Sequence, residues 1–190
     1  MRAVFDQSTI TVYQAYSPAI AAPAVAAKTF VAPFKLERMT WIKPSFLWMM
    51  YRSGWGAKGG QERILSIRIT RAGFEEALSL ACLSHFDPDV YADYETWVER
   101  KLTSPVRVQW DPERSTALQP LPWRSLQVGL GGVAARRYVN DWVTDITDIT
   151  DITEHAHDLR HLARQASDLL PPEMPYPLPP NIATNIGAAI

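Results

Sequence analysis

The 190-residue sequence is 47% hydrophobic and 21% charged, the composition of one ordinary globular domain. Its formal net charge of −1 excludes nucleic-acid binding through overall positive charge, so such binding would need a local basic patch. A single cysteine excludes an intrachain disulfide, and with no signal-peptide core and no apolar run of about 20 residues we expect a cytoplasmic protein outside the membrane.

A strand followed by a helix is predicted at the start of the chain. Residues Thr9–Tyr16 (TITVYQAY) alternate β-branched and aromatic side chains and predict a strand. A Ser-Pro pair then suits the first turn of an alanine-rich helix over residues 19–30. Gln14 and Tyr16 end the strand, where they could meet a ligand or serve as ordinary core and edge residues.

Bulky aromatic and cationic residues are mixed between residues 38 and 71. A short apolar strand is predicted over residues 39–43, and Pro44 predicts a helix over residues 45–52 that ends near Gly54. Tryptophan is usually buried, whereas a lysine or arginine beside it needs water or an anionic partner. The stretch therefore predicts either a core helix with a charged edge or the wall of a pocket for an anionic, flat-ringed ligand.

The middle of the chain predicts a strand followed by two helices. Arg63–Thr70 alternates with a period of two, which is typical of a strand with one face in the core. Residues 71–83 repeat apolar side chains at helical spacing, and residues 89–102 predict a second helix. We expect the aromatic stripe of that second helix to belong to the core: Tyr91, Tyr94 and Trp97.

Two carboxylates follow a predicted strand in the second half of the chain. Residues 105–111 alternate as a strand, and we expect Pro112 to end it because proline cannot donate to a sheet ladder. Asp111 and Glu113 would then lie at a sheet rim within reach of a ligand, unless Asp111 simply caps a turn. Residues 121–130 predict the partner strand, across a loop of about ten residues.

The remaining segments predict helices and an extended tail. A helix is expected over residues 134–143, followed by the repeat T-DIT-DIT-DIT, which we interpret as a repeat expansion rather than a cation site. His157 and His161 have the spacing of two metal ligands on a helix over residues 154–170, but no third ligand is evident, so no metal site is predicted. Six prolines in residues 171–180 indicate an extended surface tail.

These elements predict an α+β protein with a mixed or antiparallel central sheet and flanking helices. We expect the whole chain, residues 1–190, to be a single domain. Its core would span about residues 2–170, with the proline-rich tail over residues 171–190.

Polar and aromatic side chains at the predicted strand ends define a candidate site. Lysine and arginine could hold phosphates through charge-assisted hydrogen bonds, and aromatic rings could stack on a base or nicotinamide. One carboxylate could then lie near a reacting centre. The residues concerned are Asp111, Glu113, Gln14, Tyr16, Trp41, Lys43, Ser45, Trp48, Arg52, Trp55 and Lys58.

Several segments together resemble a family known only as domain of unknown function 4291. They are VYQAYSPAIA, MTWIKPSFLWMMYRSGW, QERILSIRI, VRVQWDPER and RSLQVGL. The resemblance spans about residues 2–187 and departs at the DIT repeat. It implies no established activity, but it favours a site at the tryptophan, lysine and arginine positions.

The chain also resembles, more weakly, the ADP-ribosyltransferase-like fold. In that resemblance Gln14 takes the first-strand position where arginine or histidine is usual, and Gln109-Trp110-Asp111 is similar to the Q-x-E motif with Asp in place of Glu. It implies NAD as the substrate and Asp111 or Glu113 as the catalytic carboxylate. The NAD-binding residues it implies, with the pattern above, are Gln14, Tyr16, Thr40, Trp41, Lys43, Ser45, Trp48 and Arg52.

Three functions remain open from the sequence. The first is an enzyme that transfers ADP-ribose from NAD to a nucleic-acid base or a protein side chain, which predicts a pocket with a buried carboxylate. The second is a non-catalytic nucleic-acid-binding module that stacks bases on Trp41, Trp48 and Trp55, which predicts an open groove and steep salt dependence. The third is a structural domain, which predicts buried tryptophans and no pocket lined by Lys43 and Arg52.

Overall fold

The computed structural model describes residues 1–145 and 170–188. Apart from Thr144 and Asp145, the DIT repeat lies outside the described residues. The helix predicted over residues 154–170, with its histidines, also lies outside them except for Leu170.

Nine strands and six α-helices are present in the described part of the chain. The strands are β1 Arg2–Ala3, β2 Thr9–Tyr16, β3 Thr40–Ile42, β4 Arg63–Thr70, β5 Ala81–Leu83, β6 Val106–Arg114, β7 Pro120–Leu130, β8 Val143–Asp145 and β9 Met174–Pro175. The helices are α1 Pro18–Ala27, α2 Phe46–Ser53, α3 Arg71–Ser79, α4 Tyr94–Thr103, α5 Gly132–Arg137 and α6 Pro180–Asn185, with a π-helix over Tyr138–Trp142.

Two sheets carry the fold, and they meet at one edge. The first has the order β2-β4-β8 and the second the order β3-β7-β6-β5; β1 and β9 form a separate pair. All pairings are antiparallel except that of β5 with β6. The backbones of Tyr13 and Lys43 exchange hydrogen bonds of 2.7 and 3.1 Å, so β2 in one sheet is joined to the end of β3 in the other. The predicted α+β class with a mixed, largely antiparallel sheet is confirmed.

The two strands with the clearest sequence pattern have the predicted bounds. β2 and β4 pair along their full length, from Thr9 opposite Thr70 to Tyr16 opposite Arg63. The core side of this pair is apolar and fully buried, as a period of two requires. It is formed by Ile10, Val12, Leu65, Ile67 and Ile69, whereas Ile64 lies on the opposite face in the same apolar cluster as Tyr13.

Helix α2 lies where it was predicted, but its first residue differs. The side chain of Ser45 accepts a hydrogen bond from the Trp48 backbone N–H at 3.2 Å, so Ser45 is the N-cap and Pro44 precedes the cap. At the other end, Gly54 adopts the left-handed conformation (φ 60°) that closes a helix without a Cβ clash. The helix predicted from the proline is confirmed over Phe46–Ser53.

The helix predicted over residues 71–83 is wrong at its C-terminal end. α3 ends at Ser79, and Ala81–Leu83 form β5 parallel to β6. Three consecutive buried residues suit a strand covered on both faces, which the helical spacing of the preceding residues concealed.

The next predicted helix also begins late. Asp93 caps α4, with its side chain accepting from the Thr96 backbone at 2.7 Å. Tyr91 and Trp97 are buried, but Tyr94 at the first helical position is 56% exposed, so its assignment to the core is wrong.

Strand β6 does not stop at Pro112, contrary to the prediction. It runs to Arg114 with a register shift between Pro112 and Arg114, and β5 pairs only with residues 106–108. Pro112 therefore lies in a bulged, single-sided part of the strand, where a missing N–H is tolerated. Since Arg114 pairs with Pro120, the connection to β7 is much shorter than predicted.

The helix predicted over residues 134–143 is divided. α5 begins at Gly132 and ends at Arg137, the π-helix follows, and Val143 starts β8 against β4. The π-helix buries Tyr138 completely, which places its hydroxyl inside the molecule near β2.

The proline-rich segment is extended as predicted, but it also contributes to the core. β9 pairs with β1, and the side chains of Tyr176, Ile182 and Ile186 are buried in the main cluster. None of the helices within residues 1–145 and 170–188 is both long and apolar enough to span a bilayer.

Candidate functional site

A cleft of about 630 Å³ opens where β2 and β3 join the two sheets. Its size is within the range of about 300–1,000 Å³ that is usual for small-molecule sites. Six of the eight residues predicted to bind a cofactor line it: Gln14, Tyr16, Thr40, Trp41, Lys43 and Arg52. Ser45 and Trp48 do not.

The floor of the cleft is a hydrogen-bonded network centred on Gln14, a side chain only 2% exposed. Its amide nitrogen donates to Tyr16 Oη at 2.8 Å and to Thr40 Oγ1 at 2.6 Å. Its amide oxygen accepts from the buried hydroxyl of Tyr138 at 2.8 Å. Burial raises the pKa of Tyr138, so this hydroxyl keeps its proton and the orientation of the amide is fixed.

This network leaves one hydroxyl proton for a ligand. Tyr16 Oη and Thr40 Oγ1 each accept from Gln14, and they lie 2.7 Å apart, so one of them donates to the other. The proton of the second hydroxyl then has no acceptor within the network. Because both residues line the cleft, the pair presents a hydrogen-bond donor to an acceptor atom of a bound molecule.

Trp41 forms an aromatic wall of the cleft, and Gly129 makes room for it. Trp41 pairs with Gly129 across β3 and β7. A Cβ at Gly129 would lie 2.7 Å from Met39 Sδ and 3.0 Å from the Trp41 ring. Glycine is therefore the residue that lets these two side chains lie flat on the strand.

The cationic side chains differ in burial. Lys43 is 6% exposed, and its Nζ donates to the backbone carbonyl of Trp41 at 3.1 Å. Burial, reinforced by Arg52, lowers the pKa of Lys43 to about 7, and Asp111 acts in the opposite direction. Arg52, Arg38 and Lys35 are exposed and line the same cleft, so its mouth is positively charged.

Of the two predicted carboxylates, Asp111 is the one held beside the cleft. Gln109 Nε2 donates to its Oδ1 at 3.0 Å, and Gln127 Nε2 donates to its Oδ2 at 2.7 Å. Both glutamines line the cleft. The carboxylate is thus fixed in orientation by two neutral donors.

Glu113 faces the start of helix α2 instead. It is 5% exposed; its Oε1 accepts from Ser45 Oγ at 2.9 Å and from the Arg114 backbone at 2.8 Å. Its Oε2 is buried and has no partner within the described residues. Burial raises the pKa of Glu113, although the donated hydrogen bonds lower it. Ser45, predicted to bind a cofactor, therefore caps α2 and holds Glu113.

A second carboxyl, which is partly buried, lies beside the first residue of α2. Glu173 Oε1 accepts from the Phe46 backbone N–H at 2.6 Å. Burial, with a further contribution from Glu113, raises the pKa of Glu173 to about 8. Sequence reasoning assigned Glu173 to a surface tail and missed this contact.

Two tryptophans predicted to belong to the site, Trp48 and Trp55, are core residues instead. Trp48 is 3% exposed and Trp55 is 4% exposed, so neither presents a ring face on which a base could stack. Lys58 is exposed and does not line the cleft. Within residues 1–145 and 170–188, no group of three or more metal-binding side chains is present.

Sequence reasoning missed several cleft residues, namely Gln109, Gln127, Arg38 and Lys35. It also missed Tyr138, which does not line the cleft but donates a hydrogen bond to Gln14. The one available signal was Gln109, which lies two residues before Asp111 and so shares its side of the strand. Tyr138 gave no signal because it meets Gln14 only through folding, 124 residues away in the chain.

Comparison with known proteins gives a family and no activity. No curated protein and no solved structure matches the chain. The sequence model of a family described as a domain of unknown function (DUF4291) matches residues 1–176, which include every residue of the cleft. The chain therefore belongs to the DUF4291 family.

Proposed function

We propose that the cleft binds NAD and that the protein is an ADP-ribosyltransferase-like enzyme. One observation carries the proposal: six of the predicted binding residues line the same cleft, and Asp111 lies beside it. Two glutamines that line the cleft hold the Asp111 carboxylate in a fixed orientation. We place this activity in the cytoplasm, as the sequence predicts.

The cleft offers complementary groups for each part of a dinucleotide. Arg52, Arg38 and Lys43 supply positive charge for the pyrophosphate. Trp41 and Phe34 supply aromatic surface for the base or the nicotinamide ring. The donor presented by Tyr16 and Thr40 suits an acceptor such as a carboxamide or phosphate oxygen.

Asp111 is the catalytic carboxylate in this proposal. The bond between nicotinamide and the ribose carbon breaks, nicotinamide leaves with the bonding electrons, and the ribose carries a developing positive charge. A carboxylate fixed beside that carbon stabilises the charge only in the transition state. The acceptor, a protein side chain or nucleic-acid base, then forms the new bond and releases its proton.

Glu113 has a structural part in the same proposal. Its contacts to Ser45 and the Arg114 backbone hold helix α2, which brings Arg52 to the cleft. Removing its charge therefore changes stability more than turnover. The two carboxylates of the sequence-based prediction thus have different expected effects.

The test compares Asp111→Asn with Glu113→Gln in NAD titration and in release of nicotinamide. Asp111→Asn should lower turnover by about 100-fold or more while NAD affinity changes by less than about threefold. Asp89→Asn, an exposed aspartate outside the cleft, is the matched control. Wild-type turnover in Asp111→Asn would overturn its catalytic role, and absence of NAD binding by the parent protein would overturn the proposed function.

A further inference from the structure

Lys43 occupies an unusual place for a lysine. It follows directly after β3, and its backbone exchanges two hydrogen bonds with Tyr13 of β2, which fixes the main chain at this position. The side chain is buried and lines the cleft, and the Trp41 carbonyl is its one hydrogen-bond acceptor among the described residues. An ammonium group has three N–H donors, so two are left for a molecule in the cleft.

The charges that face Lys43 favour loss of its proton when the cleft is empty. Arg52 on helix α2 and Asp111 on β6 both act on the charge of Lys43. Gln109 and Gln127 hold the Asp111 carboxylate. The loop before β3 adds Lys35 and Arg38 to the same cleft, while β2 contributes Tyr16, whose hydroxyl stays protonated because burial raises its pKa to about 12. Among these described residues, the three cations Lys35, Arg38 and Arg52 outnumber the carboxylate of Asp111.

We propose that Lys43 takes up a proton from solvent when an anionic ligand binds, so that the amine of the empty cleft becomes the ammonium ion of the complex. This inference rests on the proposed function and names how that same site is regulated. The phosphates of the ligand supply the negative charge that the empty cleft lacks, and they accept the two unused N–H donors. The lowered pKa of Lys43, about 7, is consistent with a neutral amine in slightly alkaline solution.

Proton uptake makes affinity depend on pH in a definite direction. Below the pKa of the free protein the ammonium is already present, and binding is strongest. Above that pKa each ligand must bring a proton with it, so affinity should fall about tenfold per pH unit. A ligand held by Arg52 and Arg38 alone would show no such slope, because arginine stays charged throughout.

The experiment is isothermal titration calorimetry at about pH 8 in buffers of different ionisation enthalpy, with dissociation constants also measured from about pH 6 to 9. The probes are NAD, ADP-ribose and sulfate, whose phosphate or sulfate groups keep one charge state over that range. Wild-type protein should take up close to one proton per ligand. Lys43→Arg should keep the affinity but lose both the uptake and the slope. Lys43→Met should bind weakly and independently of pH, and Lys35→Arg is the control that keeps the uptake.

Each outcome separates the two claims. Proton uptake with ADP-ribose or sulfate, but no binding of NAD, would overturn the proposed function and support the inference. Binding of NAD without uptake and without a pH slope, or a slope that persists in Lys43→Arg, would overturn the inference alone. Absence of binding by all three anions would overturn both.

Discussion

Replacing Glu173 by glutamine should remove a pH dependence from the stability of the fold. Folding raises the pKa of this carboxyl from its ordinary value of 4.5 to about 8, chiefly by burial. The folded state thus holds the proton more tightly than the unfolded state. The resulting stabilisation is complete below about pH 4.5 and is lost as the pH rises through about 8.

The structure sets the size of the effect. One pKa unit corresponds to about 1.4 kcal/mol, so the full displacement sets a ceiling of about 5 kcal/mol for the stability lost between about pH 4.5 and 8. Because Glu173 is only partly buried, water screens part of this loss, and we expect about 2 kcal/mol. Glutamine stays neutral and keeps the oxygen that accepts from Phe46, so Glu173→Gln should match the wild type near pH 5 and exceed its stability near pH 9.

Urea denaturation at those two pH values measures the difference. The matched control is Glu99→Gln, an exposed glutamate of α4 whose side chain has no hydrogen-bond partner among the described residues. Glu113 and Lys43 titrate in both proteins, so their contributions largely cancel in the comparison. Equal stability of wild type and Glu173→Gln at pH 9 would refute the assignment of Glu173 as an acid whose pKa is raised by folding.

Two further predictions concern the cleft. Gly129→Ala should destabilise the protein by about 1–3 kcal/mol and weaken NAD binding, because the new methyl group displaces Trp41 and Met39. The control is Gly59→Ala, since Gly59 has open space around it. Equal melting temperatures of the two variants would contradict the packing argument. Gln14→Leu should lower the free energy of unfolding by about 1–3 kcal/mol, because it leaves the Tyr138 hydroxyl without its acceptor. The control is Gln61→Leu at the same cleft, which should not lower it. Urea denaturation of both variants measures the difference, and equal stability would contradict the role of Gln14.

Local sequence signals predicted the elements that need few distant partners. The alternation in β2 and β4 reports a sheet with one face in the core, and both strands have the predicted bounds. The run from Ser45 to Gly54 carries a cap at each end, and α2 lies between them. In these cases the residues that decide the structure are neighbours in the chain.

The errors arose where distant residues decide the structure. Ala81–Leu83 continue the spacing of α3 but become a strand because β6 lies beside them. Pro112 remains in β6 because that part of the strand pairs on one side only. Glu173 meets the Phe46 backbone 127 residues away, so no local pattern could distinguish it from a residue of a surface tail.

Lys43 and Glu113 are both buried, and each has a partner other than the other residue. An ion pair would hold the lysine in its charged form permanently and occupy the donors that a ligand needs. Lys43 makes no ion pair among the described residues. The carboxylate that raises its pKa, Asp111, accepts hydrogen bonds from two glutamines. Glu113 accepts a hydrogen bond from Ser45. Burial of Lys43 and burial of Glu113 each lower the free energy of unfolding. A bound anion that charges Lys43 therefore recovers part of the free energy that its burial costs.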